Sequence, residues 1–443
     1  MTFNKRILYC GDNRDRLNWG CRATSIALGS ILSRLGDVSE VVNGKEASPF
    51  TMTPIPWKGA WPSRLWWIID NFPSGRFSRF QNTIKNKLNI FDDFIEESTE
   101  KSVNRFLQIK NRHSFLNNLY TQLESVDTVV INGEGTYIFS TPPRRDSLFY
   151  NFLVLLSHKF RKKVYLLNAM FSECSSTGMN HQILKESLRI LSTCEAVTTR
   201  DPYSLEFLHN NGLKNNVHHF PDALFTWTVQ TQDWVNSISG NLELIQPFGS
   251  ETYESIPNLN FDSPYVCLSG SSSAAWRQDA AFEGYLKLTK ELSRLSIQVL
   301  LVPSCSGDIF LQRVASLANI PILPVSTPIR LCAGILGKAK VLVSGRFHPS
   351  IMASNAGTPC VFLGSNSHKT LSLQKMLEYE NPHEYSDIPD NNEIKKIVSC
   401  VSQLISSQPR DKIVNVVKKR CEEAQNLDTV FESSPSENTC LMT

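Results

Sequence analysis

Residues Val341 to Thr370 read VLVSGRFHPSIMASNAGTPCVFLGSNSHKT. Val341 to Val343 is a short apolar run suited to a strand, Ser344-Gly345 breaks it, and Pro349 to Asn355 spaces its apolar residues as one or two helical turns. Ala356-Gly357-Thr358-Pro359 then turns the chain into a second apolar run, Cys360 to Leu363. The order strand, loop, short helix, strand is a βαβ unit, and in open α/β sheets ligands sit outside the carboxyl ends of the strands. The first loop carries Ser344, Arg346 and His348, and the second carries His368 and Lys369. Two loops thereby direct four basic side chains at one crevice. A guanidinium that grips an oxyanion in two places, an imidazole that exchanges a proton near neutral pH and a compact ammonium suit a small ligand bearing carboxylate and phosphate. Taken singly these residues have plainer uses, with Arg346 and His348 as helix caps and Lys369 as solvated surface.

Working outward, the same alternation runs upstream. Arg6 to Cys10 reads as a first strand, and the polar loop GDNRDRLNWG leads into a helix with Ile26, Leu28, Ile31, Leu32 and Leu35 at helical spacing. Backbone N–H groups at such a helix start attract anions, but G-x-G-x-x-G is absent, so no dinucleotide site is assigned. Asp12, Asn13, Asn18 and Trp19 are candidate acceptor-binding groups, hydroxyl partners beside an aromatic face. The alternative is an ordinary polar loop whose Trp19 packs in the core. Thr128 to Asn132 is a strand ending in NGEGTYI, where two glycines let the backbone approach a ligand and Glu134 projects as a candidate base toward a sugar hydroxyl, or as a cap of the next helix. Helix (Phe149 to Phe160), strand (Val164 to Asn168), helix (His181 to Ser192) and strand (Ala196 to Thr199) follow. Arg200 ends that last strand and Pro202 opens a helix. Val217 to Phe220 is a strand leading to Asp222, which either orients a catalytic group or caps its turn.

Asp233 to Asp262 is polar and aperiodic and reads as an interdomain connection. A second series begins with SPYVCLSGSSSAAWRQD, a strand and a Ser/Gly-rich loop that can receive a phosphate or serve as a plain turn. Helix Phe282 to Leu295, strand Gln298 to Val302, helix Asp308 to Ala318, strand Ile320 to Leu323 and helix Pro328 to Leu336 lead to the opening stretch. Helix Leu371 to Glu378 and helix Asn392 to Gln425, interrupted at Pro409, close the series. The expected organisation is α/β, with a Rossmann-like domain over residues 1–245, a second over 262–425, and a disordered tail at 426–443. The first is interrupted at about 43–117 by a helical and aromatic insertion. Trp57, Trp61, Trp66 and Trp67 crowd there among prolines and basic residues, as in a lid, an oligomer contact or a peripheral membrane contact.

The 443 residues are too many for one core, and 41% hydrophobic with 20% charged content is that of a soluble globular protein. A net charge of +3 is too mild to make nucleic acid the main partner. The eleven cysteines are scattered without C-x-x-C pairs or zinc spacing, which favours free thiols in a reducing compartment and gives no metal site. Neither a signal-peptide core nor an apolar run of the roughly 20 residues that span a membrane is present. The expected location is the cytoplasm, with contact at the inner face of the membrane if the Trp-rich segment docks there.

GDNRDRLNWGCRA, NGEG after a strand, TRDPYS, FPDALF and VSGRFHPSIMASNAGTPCVFL with its downstream Lys369, in this order, resemble the polysaccharide pyruvyltransferase family over about Arg6 to Met376. The arginine-x-histidine motif with its small-residue helix is the most specific piece. The resemblance implies two Rossmann-like domains facing across a cleft, the glycosyltransferase architecture called GT-B, with phosphoenolpyruvate as donor and a glycan or lipid-linked saccharide as acceptor. It places Arg346 and His348 in the donor site, with Arg200 as partner. Ketal formation begins with a proton delivered to the donor's methylene carbon and continues with attack of a sugar hydroxyl on the resulting cation. His348 is the candidate acid, Glu134 or Asp222 the base, and Arg200, Arg346, Lys369 and His368 the anion clamp, with Ser344 beside them. No cofactor is required. Three features depart from the family pattern: Glu134 stands where a small residue is common, Phe347 replaces an aliphatic, and the Trp-rich segment is unusual. They keep open a glycosyltransferase using a nucleotide-activated sugar such as a ulosonic acid, whose carboxylate would occupy the clamp. A scaffold that binds glycan without turnover is a third reading, which the retained Arg346, His348 and Lys369 disfavour.

Overall fold

The computed structural model describes residues 5–44, 46–47, 94–112, 114–240, 248, 259–407 and 409–432. The tryptophan-rich segment, with the lid, oligomer and membrane expectations placed on it, lies outside them. The chain forms two compact units. One comprises Met1–Asp12, Ser33–Val197 and Leu208–Val217, and the other Asn13–Leu32, Thr198–Phe207 and His218–Thr443.

The first series runs β1 (Arg6–Asp12), α1 (Trp19–Leu35), β2 (Asp37–Asn43), α2 (Thr99–Ile109), α3 (Ser114–Ser125), β3 (Thr128–Phe139), α4 (Arg145–Lys159), β4 (Lys163–Glu173), α5 (His181–Leu191), β5 (Ala196–Thr199), α6 (Pro202–Asn210), β6 (Val217–His219) and α7 (Thr228–Asn236). Its sheet has the order β2-β1-β3-β4-β5-β6. β1 pairs in parallel with both β2 and β3, and β3 with β4. The strand order reverses between β1 and β3, which makes their carboxyl ends the switch point of a doubly wound sheet. β1 and β3 are buried along almost their whole length because helices cover both faces of such a sheet.

The second series is β7 (Tyr265–Ser271), α8 (Gln278–Ser293), β8 (Gln298–Leu301), α9 (Phe310–Ala318), α10 (Ile329–Lys338), β9 (Val341–Gly345), α11 (Phe347–Ser354), β10 (Cys360–Phe362), α12 (Lys369–Met376), α13 (Asn391–Ser407) and α14 (Arg410–Gln425). This sheet is parallel, in the order β10-β9-β7-β8, so its switch point lies between β7 and β9. Ser271 pairs there with Gly345, which sets the Ser-rich loop beside the arginine-x-histidine turn. The core joins Val266, Leu268, Val299, Leu301, Val341 and Val343 of the strands to Tyr285, Leu288, Leu292, Ile394 and Ile397 of the helices.

Several elements differ from the sequence expectation. β3 does not stop at Asn132 but continues to Phe139, with a register shift after Glu134, whose φ of 40° is rare for a residue with a side chain. Ile320 to Leu323 forms no regular strand; Ile322 makes an isolated parallel bridge to Leu301, and Pro321 and Pro324 withhold the amide donors a ladder needs. β2 went unanticipated because it is polar along one face. The expected connection begins as α7, so Asp233 is helical. The tail expected to be disordered from Asn426 starts instead as a 3-10 turn to Phe431, burying Leu427, Val430 and Phe431. The described end of the insertion is part of the core: Phe94 and Phe106 pack on Phe152 of α4 with ring centroids 4.7 and 5.3 Å away.

Candidate active site

All of the contacts in the second unit's site begin at strand ends. β5 ends at Thr199 and β6 at His219, so Arg200 and Asp222 lie just beyond carboxyl ends; β9 ends at Gly345 and α11 begins at Phe347, which puts His348 in the first turn of a helix. These three side chains meet. His348 Nε2 lies 3.2 Å from Asp222 Oδ2 and 3.1 Å from Arg200 Nη1, and Arg200 Nη1 lies 3.4 Å from the same carboxylate oxygen. The other oxygen, Oδ1, accepts from Thr24 Oγ1 and from the Leu224 N–H, both at 2.9 Å. Burial alone would raise the Asp222 pKa, but the His348 imidazole and the Arg200 guanidinium outweigh it and bring it down to about 2. The carboxylate is therefore ionised, fully buried and hydrogen-bonded at both oxygens. That arrangement corrects the expectation of Asp222 as a base for a sugar hydroxyl, because its lone pairs are already engaged and no face is open.

The rest of the His348 surroundings fix its ring. Gly20, in the first turn of α1, carries no side chain where an added Cβ would fall 2.2 Å from His348 Nδ1. Phe347 packs its ring edge-on to the imidazole at 5.2 Å and lies under the Arg200 guanidinium at 4.5 Å. The aromatic at 347 thus braces both partners.

Arg346 points elsewhere. Its Nη2 binds Asp308, a fully buried carboxylate that also accepts from the Ser304 N–H at 2.9 Å and Ser304 Oγ at 3.1 Å. Burial pulls the arginine pKa down and Asp308 more than restores it, so the ion pair is retained. Ser344, expected beside the donor, is fully buried with Oγ accepting the Arg346 N–H at 3.0 Å; it turns the chain and has no open face for a ligand.

His368 forms a second carboxylate–imidazole pair. Its Nε2 is 3.1 Å from Asp201 Oδ1, and Asp201 also accepts from Ser204 N at 3.0 Å, Ser204 Oγ at 2.7 Å and Ser372 Oγ at 2.8 Å. Burial opposes ionisation of Asp201, but His368 and the serines hold its pKa below the usual carboxylate value. Lys369 Nζ donates to Asn366 Oδ1 at 2.7 Å, and Ser272 Oγ of the Ser-rich loop donates to the same atom at 3.1 Å. One dipeptide, Arg200-Asp201, therefore serves both histidines.

Of the expected acceptor groups, two are committed to the fold. Asn18 caps α1, its Oδ1 accepting from the Gly20 and Cys21 N–H groups at 3.0 and 3.3 Å. Trp19 is fully buried and its indole N–H donates to the Val325 carbonyl at 2.7 Å, so it offers no face for a sugar. Asn13 is buried with its N–H on Ser25 Oγ at 2.9 Å. In the first unit, Asp12 is buried at the end of β1, and Glu134 accepts from Asn132 Nδ2 at 3.3 Å at the β1/β3 switch point. Asn132 also donates to the Gly11 carbonyl at 3.4 Å.

Sequence reasoning missed Thr24, Asp201, Asp308 and Gly20. Asp201 and Asp308 had a usable signal, each being an acidic residue within a few positions of a predicted strand end; Thr24 and Gly20 had none, since only the packing of α1 brings them to the site.

A model of the family described as polysaccharide pyruvyl transferase matches residues 22–367, a span that holds the His348–Asp222 pair and ends one residue before His368. No curated protein sequence matches the chain. Among solved structures, UDP-GlcNAc 2-epimerase from Neisseria meningitidis bound to UDP-GlcNAc is similar at 9% identity and TM-score 0.54, covering 98% of this chain and 100% of that one. A putative UDP-N-acetylglucosamine 2-epimerase from Listeria monocytogenes follows at 11% and 0.52, with 99% and 100% covered. Arabidopsis thaliana UGT89C1 complexed with UDP stands at 11% and 0.53, with 97% and 99% covered. At such identities the likeness is one of fold, the GT-B type, with parallel α/β sheets in two domains.

Proposed function

Given that the chain belongs to the polysaccharide pyruvyl transferase family and is a transferase, we propose that it moves a pyruvyl group from phosphoenolpyruvate onto hydroxyls of a cell-surface polysaccharide or its lipid-linked precursor, closing a ketal. The observation that carries this reading is the contact of Asp222, Arg200 and His348. A buried anion holds an imidazole where it can carry a proton, with a guanidinium alongside for the donor's negative charge.

In this reading His348 protonates the methylene carbon of the donor, and the carbon bearing the carboxylate becomes oxocarbenium-like. Asp222 stabilises the protonated imidazole and fixes its ring, as a positioning residue. Arg200 and Lys369 attract the donor's carboxylate and phosphate, which lowers the cost of holding a small polyanion. Arg346 acts less directly than its motif suggests, since Asp308 already takes one arm of its fork. Glu134, with its strained backbone at the other sheet's switch point, is retained as an acceptor-side candidate.

Thermal unfolding with added ligand tests the donor. Phosphoenolpyruvate at about 100 times its Kd should stabilise the protein by about 2.7 kcal/mol, and His348→Ala should leave that binding largely in place while removing phosphate release. The three solved structures similar in fold are two UDP-GlcNAc 2-epimerases, one of them putative, and a protein complexed with UDP, so UDP-GlcNAc is the comparison ligand. Stabilisation by UDP-GlcNAc and none by phosphoenolpyruvate would replace pyruvyl transfer with glycosyl transfer.

A further inference from the structure

We propose that His368, oriented by Asp201, is the general base that accepts the proton of the acceptor hydroxyl; the inference rests on the pyruvyl-transfer reading above. The reaction needs a group to take that proton, and Asp222 has no lone pair to spare. His368 meets the requirements. Both hydrogen bonds of its ring run through Nε2, to Asp201 at 3.1 Å and to Ser204 Oγ at 3.4 Å, which leaves Nδ1 as the nitrogen for a substrate. Its side chain is 21% exposed, against 12% for His348 and 0% for Asp201. A buried carboxylate behind a partly open imidazole fixes the tautomer and stabilises the imidazolium that forms when the ring takes a proton.

The two histidines are held by neighbouring residues, Arg200 at 3.1 Å from His348 and Asp201 at 3.1 Å from His368, so acid and base flank a single strand end. The groups around His368 are Asp201 and Ser204 on its Nε2 side, the Tyr203 ring edge-on at 5.6 Å, Lys375 beyond that ring, Lys369 next in the chain, and Glu384 bound to Thr370.

The step balances as follows. The donor's methylene takes a proton from His348 and the acceptor oxygen bonds to the cationic carbon, while its proton passes to His368 Nδ1 and the Nε2–H donates to Asp201. A second hydroxyl then bonds to the same carbon, whose bond to the phosphate oxygen breaks with its electron pair on phosphate, and that hydroxyl's proton leaves with the phosphate.

The test follows phosphate release from phosphoenolpyruvate across pH, with methyl hexopyranosides or water as acceptor. A base must be unprotonated, so the wild-type rate should fall on the acid side, and His368→Gln should lose that limb together with about 10² to 10³-fold in kcat at unchanged donor KM. Asp201→Asn should lower kcat and move the same limb. Added imidazole should restore part of the rate to His368→Ala, and thermal unfolding of each variant separates this from misfolding. Wild-type kcat in His368→Gln overturns the assignment. So does a raised donor KM at unchanged kcat, which would make His368 a donor ligand, or loss of the acid limb in Glu134→Gln instead. A wild-type protein that neither releases phosphate nor exchanges the donor's methylene protons removes the pyruvyl-transfer reading itself, and this inference falls with it.

Discussion

Arg200 Nη1 and His348 Nε2 lie 3.1 Å apart while both face the same oxygen of Asp222, so a single ring nitrogen has a donor on one side and an acceptor on the other. Unprotonated, Nε2 accepts from Arg200; protonated, it donates to Asp222. Both states are satisfied, so the ring keeps its place in either form.

Asp222→Asn tests that relationship through both rate and acid stability. Removing the anion should lower kcat about 10² to 10⁴-fold with little change in donor KM, since the imidazolium loses its counter-charge. The folded-state pKa of about 2 lies below the ordinary 3.8, so the carboxylate stabilises the fold fully above pH 4 and loses that contribution as pH falls toward 2. The gap corresponds to about 2 kcal/mol. Urea midpoints measured between pH 7 and pH 2.5 should therefore fall more steeply with acid for the wild type than for Asp222→Asn. Parallel profiles would mean that Asp222 is not the group being titrated.

Gly20→Ala asks whether α1 shapes the site. A methyl group would sit 2.2 Å from His348 Nδ1, and a ring wedged between Asp222 and Phe347 has little room to yield. The expected outcome is a fall in kcat of at least about 10-fold, as displacement of a catalytic group by an ångström can cost up to 10²-fold. Thermal unfolding should show a loss of about 1 to 3 kcal/mol as well, the cost of forcing a methyl group into a filled site, so kcat is read below the variant's unfolding transition.

How far the sequence carried the architecture follows from which signals are local. Apart from β2, the strands of both sheets were legible because buried parallel strands are continuous apolar runs, and Arg200, Asp222 and Arg346 to His348 were found by their position after such runs. The extension of β3 past Glu134 was hidden by two glycines that look like a loop, and the Ile320 segment was overcalled because proline's missing donor outweighs apolar composition. Trp19 and Asn18 take the alternative reading, core and helix cap, for a reason composition does not carry. A polar loop at a helix start has the same composition whether its groups serve a ligand or cap the helix, and only tertiary contacts to Val325 and to the Gly20 and Cys21 amides decide it. Pairings such as Asp308 with Arg346 span 38 residues and leave no periodic trace.

Phe106→Ala probes the end of the insertion that the fold has absorbed. Phe106 is fully buried in α2, 5.7 Å from Phe94 and 5.3 Å from Phe152 by ring centroid. Truncation removes a large apolar surface with one edge-on and one tilted aromatic contact, an expected cost of about 3 to 5 kcal/mol in urea unfolding. A loss below about 1 kcal/mol would show that this segment is an appendage whose packing the core does not need.

The Arg346–Asp308 pair makes the last prediction, and it runs against treating the motif arginine purely as a donor ligand. Asp308 is fully buried and Arg346 largely so, and truncating one leaves the other as an uncompensated charge, so Arg346→Met and Asp308→Leu should each destabilise by about 3 to 5 kcal/mol. The double variant should recover much of that loss, because two apolar side chains of similar length satisfy the site without a stranded ion, and a double-mutant cycle reads the recovery directly. Phosphate release then separates structure from chemistry. If Arg346 serves the donor through the arm that Asp308 does not hold, the refolded double variant stays inactive with a raised donor KM. If its work is to brace the turn that carries His348, the double variant regains a substantial fraction of kcat along with its stability.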